Sequence, residues 1–152
     1  MFRKIGLALL LCALGTSATA EGSSALTEKD VLSQQVRGFQ TAKNCDGMIG
    51  LFYTQGVDDR RKSAFAKTIR ETLCANFDKK INSIAFQSIR PSKAGPPGDF
   101  EGRHSAYTLD PVGVLVIDYS GDKPGETRSI AYRYGVHDNK AYLITTKNAD
   151  AK

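Results

Sequence analysis

Between Leu26 and Phe77 apolar side chains recur every three to four positions, and beyond Ile81 they recur every two. The first period belongs to helices with one buried stripe, the second to strands with one buried face. In LTEKDVLSQQVRGFQTAK, Thr27 and Asp30 are spaced as a capping box, Leu26 and Val31 as a hydrophobic staple, and Leu32, Val36 and Phe39 share a face. That combination predicts a helix. A short second helix is expected in CDGMIGLFYTQG, with Met48, Ile49 and Phe52 apolar, Gly56 closing it, and Asn44 to Gly47 turning the corner. The longest periodic run follows Asp58-Asp59, where Phe65, Ile69, Leu73 and Phe77 fall on one stripe with Ala66 and Cys74 beside it.

INSIAFQSIR, RHSAYTL, GVLVIDYS, TRSIAYRYGV and AYLITT combine alternation with β-forming residues and predict four or five antiparallel strands. Asp110-Pro111, Gly121 to Gly125 and His137 to Lys140 supply the turns, and PSKAGPPGDFEG is too rich in Pro and Gly to be regular. Helices first and hairpins afterward make an α+β domain, with N-terminal helices packed on a curved, cone-like antiparallel sheet. The strand GVLVIDY is apolar on both faces, because Val114 and Val116 alternate with Leu115 and Ile117. One helix layer covers one face only, so the other is expected to form a pocket, lie under a loop or meet a second subunit.

The N-terminus changes the picture of where the chain works. Arg3 and Lys4, an apolar run from Ile5 to Leu14, and small residues at Ala18 and Ala20 follow the layout of a secretory signal over residues 1–20, cleaved after Ala20. The run is well short of the ~20 residues of a membrane helix, so no transmembrane span is expected. Leu11 stands where lipoprotein processing needs a small residue, so Cys12 leaves with the signal. The expectation is an exported bacterial protein, periplasmic or secreted, with one domain over 21–147 and a disordered tail over 148–152. Cys45 and Cys74 then remain, and an oxidising compartment predicts one disulfide between them. Closing a loop of that size is worth roughly 3–4 kcal/mol in the chain-entropy model. Without a C-x-x-C spacing, the bridge is structural rather than redox-active.

Removing Arg3 and Lys4 takes the formal charge from +5 to +3. Nucleic acid is not expected as a partner at that charge. The one dense basic run, Arg60-Arg61-Lys62 after Asp58-Asp59, reads as a capped, solvated first helical turn. His104 and His137 are far apart with no nearby Cys pair, so neither a metal site nor a cofactor is expected. QQVRG matches the Q-x-V-x-G pattern of cystatin inhibitors, but here it falls in a helical segment of a chain without Trp.

The layout from Leu26 to Thr146 resembles the nuclear transport factor 2-like superfamily, whose cystatin-like arrangement wraps a curved antiparallel sheet on helices. CDGMIGLFYTQGVDD, KKINSIAF and the closing meander GVLVIDYSGDKPGETRSIAYRYGVHDNKAYLITT carry the resemblance. It implies a cone-like pocket between sheet and helices and a homodimer through the sheet; activity varies across the superfamily. Candidate ligand-binding residues are Tyr107, Leu115, Ile117, Tyr132 and Tyr134. The leading expectation is a small soluble binding or adaptor domain that holds an apolar small ligand or a protein partner on its sheet face. The alternative is an enzyme with Asp118 as general base, its pKa raised among apolar strands, and with Arg133 and Tyr132 as partners.

Overall fold

The computed structural model describes residues 26–89 and 97–149; the expected signal over 1–20, Cys12, the first half of the Pro/Gly loop and tail residues 150–152 lie outside the described residues. Helix α1 (Glu28–Thr41) begins at the expected box: Thr27 Oγ1 accepts from the Asp30 N–H at 3.2 Å, and Asp30 Oδ2 accepts from the Thr27 N–H at 3.0 Å. Two orphan donors are thereby satisfied. The staple does not close around it, because Leu26 stays 58% exposed.

Asn44 caps α2 (Cys45–Ile49) by accepting from the Gly47 N–H at 2.9 Å. This helix is shorter than expected. Phe52 and Tyr53 leave it to form strand β1 (Phe52–Tyr53), parallel to Leu143 and Ile144, and the Leu143 N–H donates to the Leu51 carbonyl at 2.9 Å. The partner strand lies some 90 residues away in sequence, so local periodicity carries no trace of it. Helix α3 (Asp59–Thr72), capped by Asp58, leads into a 3-10 turn (Cys74–Asn76). The Cys45–Cys74 disulfide joins the start of α2 to that turn, with Cα atoms 5.7 Å apart.

Six further strands follow: β2 (Ile81–Gln87), β3 (Ser105–Tyr107), β4 (Gly113–Ser120), β5 (Thr127–His137), β6 (Lys140–Ile144) and β7 (Thr146–Asn148). The main sheet has the order β1-β6-β5-β4-β2 and is antiparallel except at β1. The fold is α+β, as the change of period predicts. Strands β3 and β7 form a separate two-stranded ribbon, in which Tyr107 pairs with Thr146 and Ser105 with Asn148. Asn148 and Ala149, expected in a loose tail, are therefore held, and the Ala149 N–H donates to the His104 carbonyl at 3.0 Å. Between β5 and β6, Asp138 and Asn139 both take positive φ, 48° and 57°, as a two-residue hairpin turn requires.

Leu32 and Val36 of α1, Met48 of α2, Ile69 of α3 and Leu73 just after it close on Leu115, Ile117, Tyr119, Tyr134 and Leu143 of the sheet. Each such side chain withdrawn from water contributes about 1.5–3 kcal/mol. Gln40 is buried among them, its Nε2 donating to the carbonyls of Asn76 at 2.7 Å and Lys79 at 3.1 Å, so the end of α1 is stitched to the turn after α3. Two glycines allow close approach. A Cβ on Gly113 would stand 2.4 Å from the Tyr134 ring that covers it from the paired strand, and one on Gly135 would stand 2.8 Å from the Asp110 carbonyl.

Candidate functional site

The β4 register sorts its two apolar rows. Gly113, Leu115, Ile117 and Tyr119 are buried, and the last three belong to the core shared with the helices; Val114, Val116, Asp118 and Ser120 face the other way and are half-buried. The space between helices and sheet is occupied by the chain itself. Leu115, Ile117 and Tyr134, expected to line a ligand pocket, are core residues. Tyr132 packs edge-on against Phe52 at 5.3 Å, with its hydroxyl 3.3 Å from Thr72 Oγ1. Tyr107 lies on the ribbon, stacked with the Arg133 guanidinium at 4.8 Å. Tyr107 is set apart from the other four, because the Arg133 it stacks on points to the face of β5 opposite Tyr132.

Asp118 lies on the outer face, held by Ser83 Oγ and Ser129 Oγ, each donating at 2.6 Å. The bond from Ser129, then that from Ser83, lowers its pKa from the ordinary 3.8. A general base working near neutral pH needs the opposite shift. Arg133, expected as the partner of Asp118, pairs with Val114 instead, four residues along β5 from Ser129 and so roughly 13 Å away along the strand. The trio of Asp118, Arg133 and Tyr132 is not assembled. His104 sits 3.0 Å from Asp99, and His137 sits 3.4 Å from Asp138. Among the described residues no group of three or more His, Cys, Asp or Glu side chains is placed to hold a metal.

The outer face of the central strands forms a shelf. Val116 stands between Ala85 of β2 and Ala131 of β5 in register, and both alanines are exposed. Past this row, Asp118 lies toward one end and Arg133 toward the other. The Leu109–Asp110 segment crosses the far end of the sheet over Gly135 and leaves the Val116 row outside its cover.

A second constellation surrounds Arg61, which sequence reasoning placed in solvent. The side chain is only 5% exposed. Its Nη1 donates to Ser105 Oγ at 2.9 Å, its Nε lies 3.5 Å from Asp58 Oδ2, and its guanidinium covers the Phe100 ring at 4.7 Å. Nη2 is buried without a hydrogen-bond partner among the described residues. The missed signal was in the spacing: Arg61 begins the stripe that runs through Phe65, Ile69, Leu73 and Phe77, so its position faces inward whatever its charge. The capping by Asp58 was legible, since its Oδ1 accepts from the Arg61 N–H at 2.9 Å.

No family model matches the chain, and neither a curated protein nor a solved structure does.

Proposed function

We propose that this chain is an exported, non-catalytic adaptor domain that meets a protein across the outer face of its sheet, and that its first occupant is a second copy of itself. The observation that carries this is the contrast between the two faces. Leu115, Ile117 and Tyr119 fill the inner side completely, whereas the row Ala85, Val116, Ala131 offers a flat apolar shelf to the outside. Behind the central strands the inner face is packed by the chain's own side chains, which favours the protein-partner reading over a carrier that uses the sheet's inner face.

Self-association is supported by the charges that flank the row. A twofold axis crossing the strands at Val116 brings each copy's Arg133 to the level of the other's Asp118, so the surface is complementary to itself. The resemblance to the nuclear transport factor 2-like superfamily points the same way, since it implies a dimer through the sheet. Export is favoured by the signal layout ahead of Ala20 and by the Cys45–Cys74 disulfide, which suits an oxidising compartment.

Native mass spectrometry of the purified, oxidised chain tests the proposal. The expected spectrum is a dimer free of small molecules. A monomer carrying a retained apolar compound would argue for a carrier and against the adaptor.

A further inference from the structure

We infer that Arg61 anchors a binding site for a small organic carboxylate, whose acid group meets the guanidinium in a polar cleft while a short apolar body lies along an adjoining groove. This site is separate from the sheet face and does not depend on it.

Two cavities adjoin at Arg61. One, of about 50 Å³, is lined by Asp58, Arg60, Arg61, Glu101, Arg103 and Asn148, and has room for an acid group or a few waters. The other, of about 190 Å³, runs past Ala64, Phe65, Thr68, Phe100 and Thr145. Arg61 and Phe100 belong to both. The groove is smaller than the roughly 300–1,000 Å³ of most ligand pockets, so the body is limited to a short aliphatic chain or one ring.

The charges leave an anion wanting. Arg60 spends its charge on Glu101 at 3.0 Å. Asp58 is divided between the Arg61 backbone, the Arg61 Nε at 3.5 Å and Asn148 Nδ2 at 3.4 Å, and its side chain is 44% exposed, so its field is screened. Arg103 has no ion pair among the described residues, and the N-terminus of α3 adds positive partial charge. Against this background Arg61 keeps one nitrogen buried and without a hydrogen-bond partner among the described residues. Leaving a charged donor unsatisfied costs at least as much as a neutral one, and a carboxylate oxygen is the acceptor that a guanidinium pairs with most directly.

The competing account makes Arg61 a rivet that holds the ribbon to α3 through Ser105 and Phe100. A rivet has no use for the unpaired nitrogen, and an apolar side chain of similar length would hold the same elements without it. The flanking groove is also unexplained by a rivet.

Titration calorimetry with sodium hexanoate, 1-hexanol and inorganic phosphate tests the site, using the full oxidised chain and the variants Arg61→Met and Arg103→Ala. Hexanoate is expected to bind saturably, at least roughly tenfold more tightly than hexanol or phosphate, as one charge-assisted contact implies. Arg103→Ala, which alters an exposed side chain, should weaken hexanoate and keep the melting temperature. Arg61→Met should abolish binding. Absence of saturable hexanoate binding, equal binding of hexanol or phosphate, or hexanoate affinity unchanged in Arg103→Ala would each overturn the assignment. If Arg61→Met fails to fold, the Arg103→Ala comparison and the three-ligand ranking still decide it.

Discussion

The Nη1 of Arg61 donates to Ser105 Oγ at 2.9 Å, tying the first turn of α3 to β3 across 44 residues of chain. The bond anchors the ribbon, and it also supplies one of the few acceptors available to a buried guanidinium. Ser105→Ala strands a second nitrogen of Arg61, and the expected cost is about 1–3 kcal/mol. Urea unfolding of the two proteins measures it; a difference under roughly 0.5 kcal/mol would mean that solvent reaches the guanidinium after all.

The crosslink between Cys45 and Cys74 closes a loop over 29 positions and holds α2 against the end of α3. Reduction, or the paired change Cys45→Ala and Cys74→Ala, is expected to remove roughly 3–4 kcal/mol by the chain-entropy argument. A thermal melt with and without reductant reads this directly. Identical melting temperatures would show that the bridge does not constrain the unfolded chain.

Tyr119 is wholly buried, and its hydroxyl has no partner among the described residues. Burial, with Tyr132 nearby, pushes its pKa up to about 12, so it stays neutral throughout the physiological range. Tyr119→Phe deletes an unpaired polar atom and keeps the ring. Stability should be unchanged or rise by up to about 1 kcal/mol. A loss larger than that would reveal an acceptor for the hydroxyl.

Asp118 provides a pH test. Its folded pKa is depressed below the unfolded value near 3.8, so the stabilisation from Ser129 and Ser83 is present above that value and is lost as pH falls through the folded pKa. Asp118→Asn should therefore melt below the wild type at pH 7, with the gap narrowing on acidification. A gap that widens in acid would reverse the assigned direction and reopen the general-base reading.

How much of this was legible follows from the range of each interaction. The alternation in GVLVIDYS and the stripe from Phe65 to Phe77 are local, and they yielded β4 and α3 directly. Strand β1 was not legible, because two residues pairing with Leu143 and Ile144 leave no period. Nor was the inward face of β4, since Val114 and Val116 are as apolar as Leu115 and Ile117, and only packing against α1 and α3 chooses between them. Arg61 was misplaced for a different reason. Its neighbours Arg60 and Lys62 are exposed, and charge type outweighed a spacing that already pointed inward.

Sedimentation velocity of the oxidised chain beside Ala131→Arg, across a concentration series, addresses the outer sheet face most directly. Ala131 is exposed in the single chain, so the substitution should leave the melting temperature intact. The wild type is expected to shift from monomer to dimer as concentration rises, while Ala131→Arg stays monomeric. A wild type that is monomeric throughout, or a variant that dimerises equally well, would contradict the proposed interface.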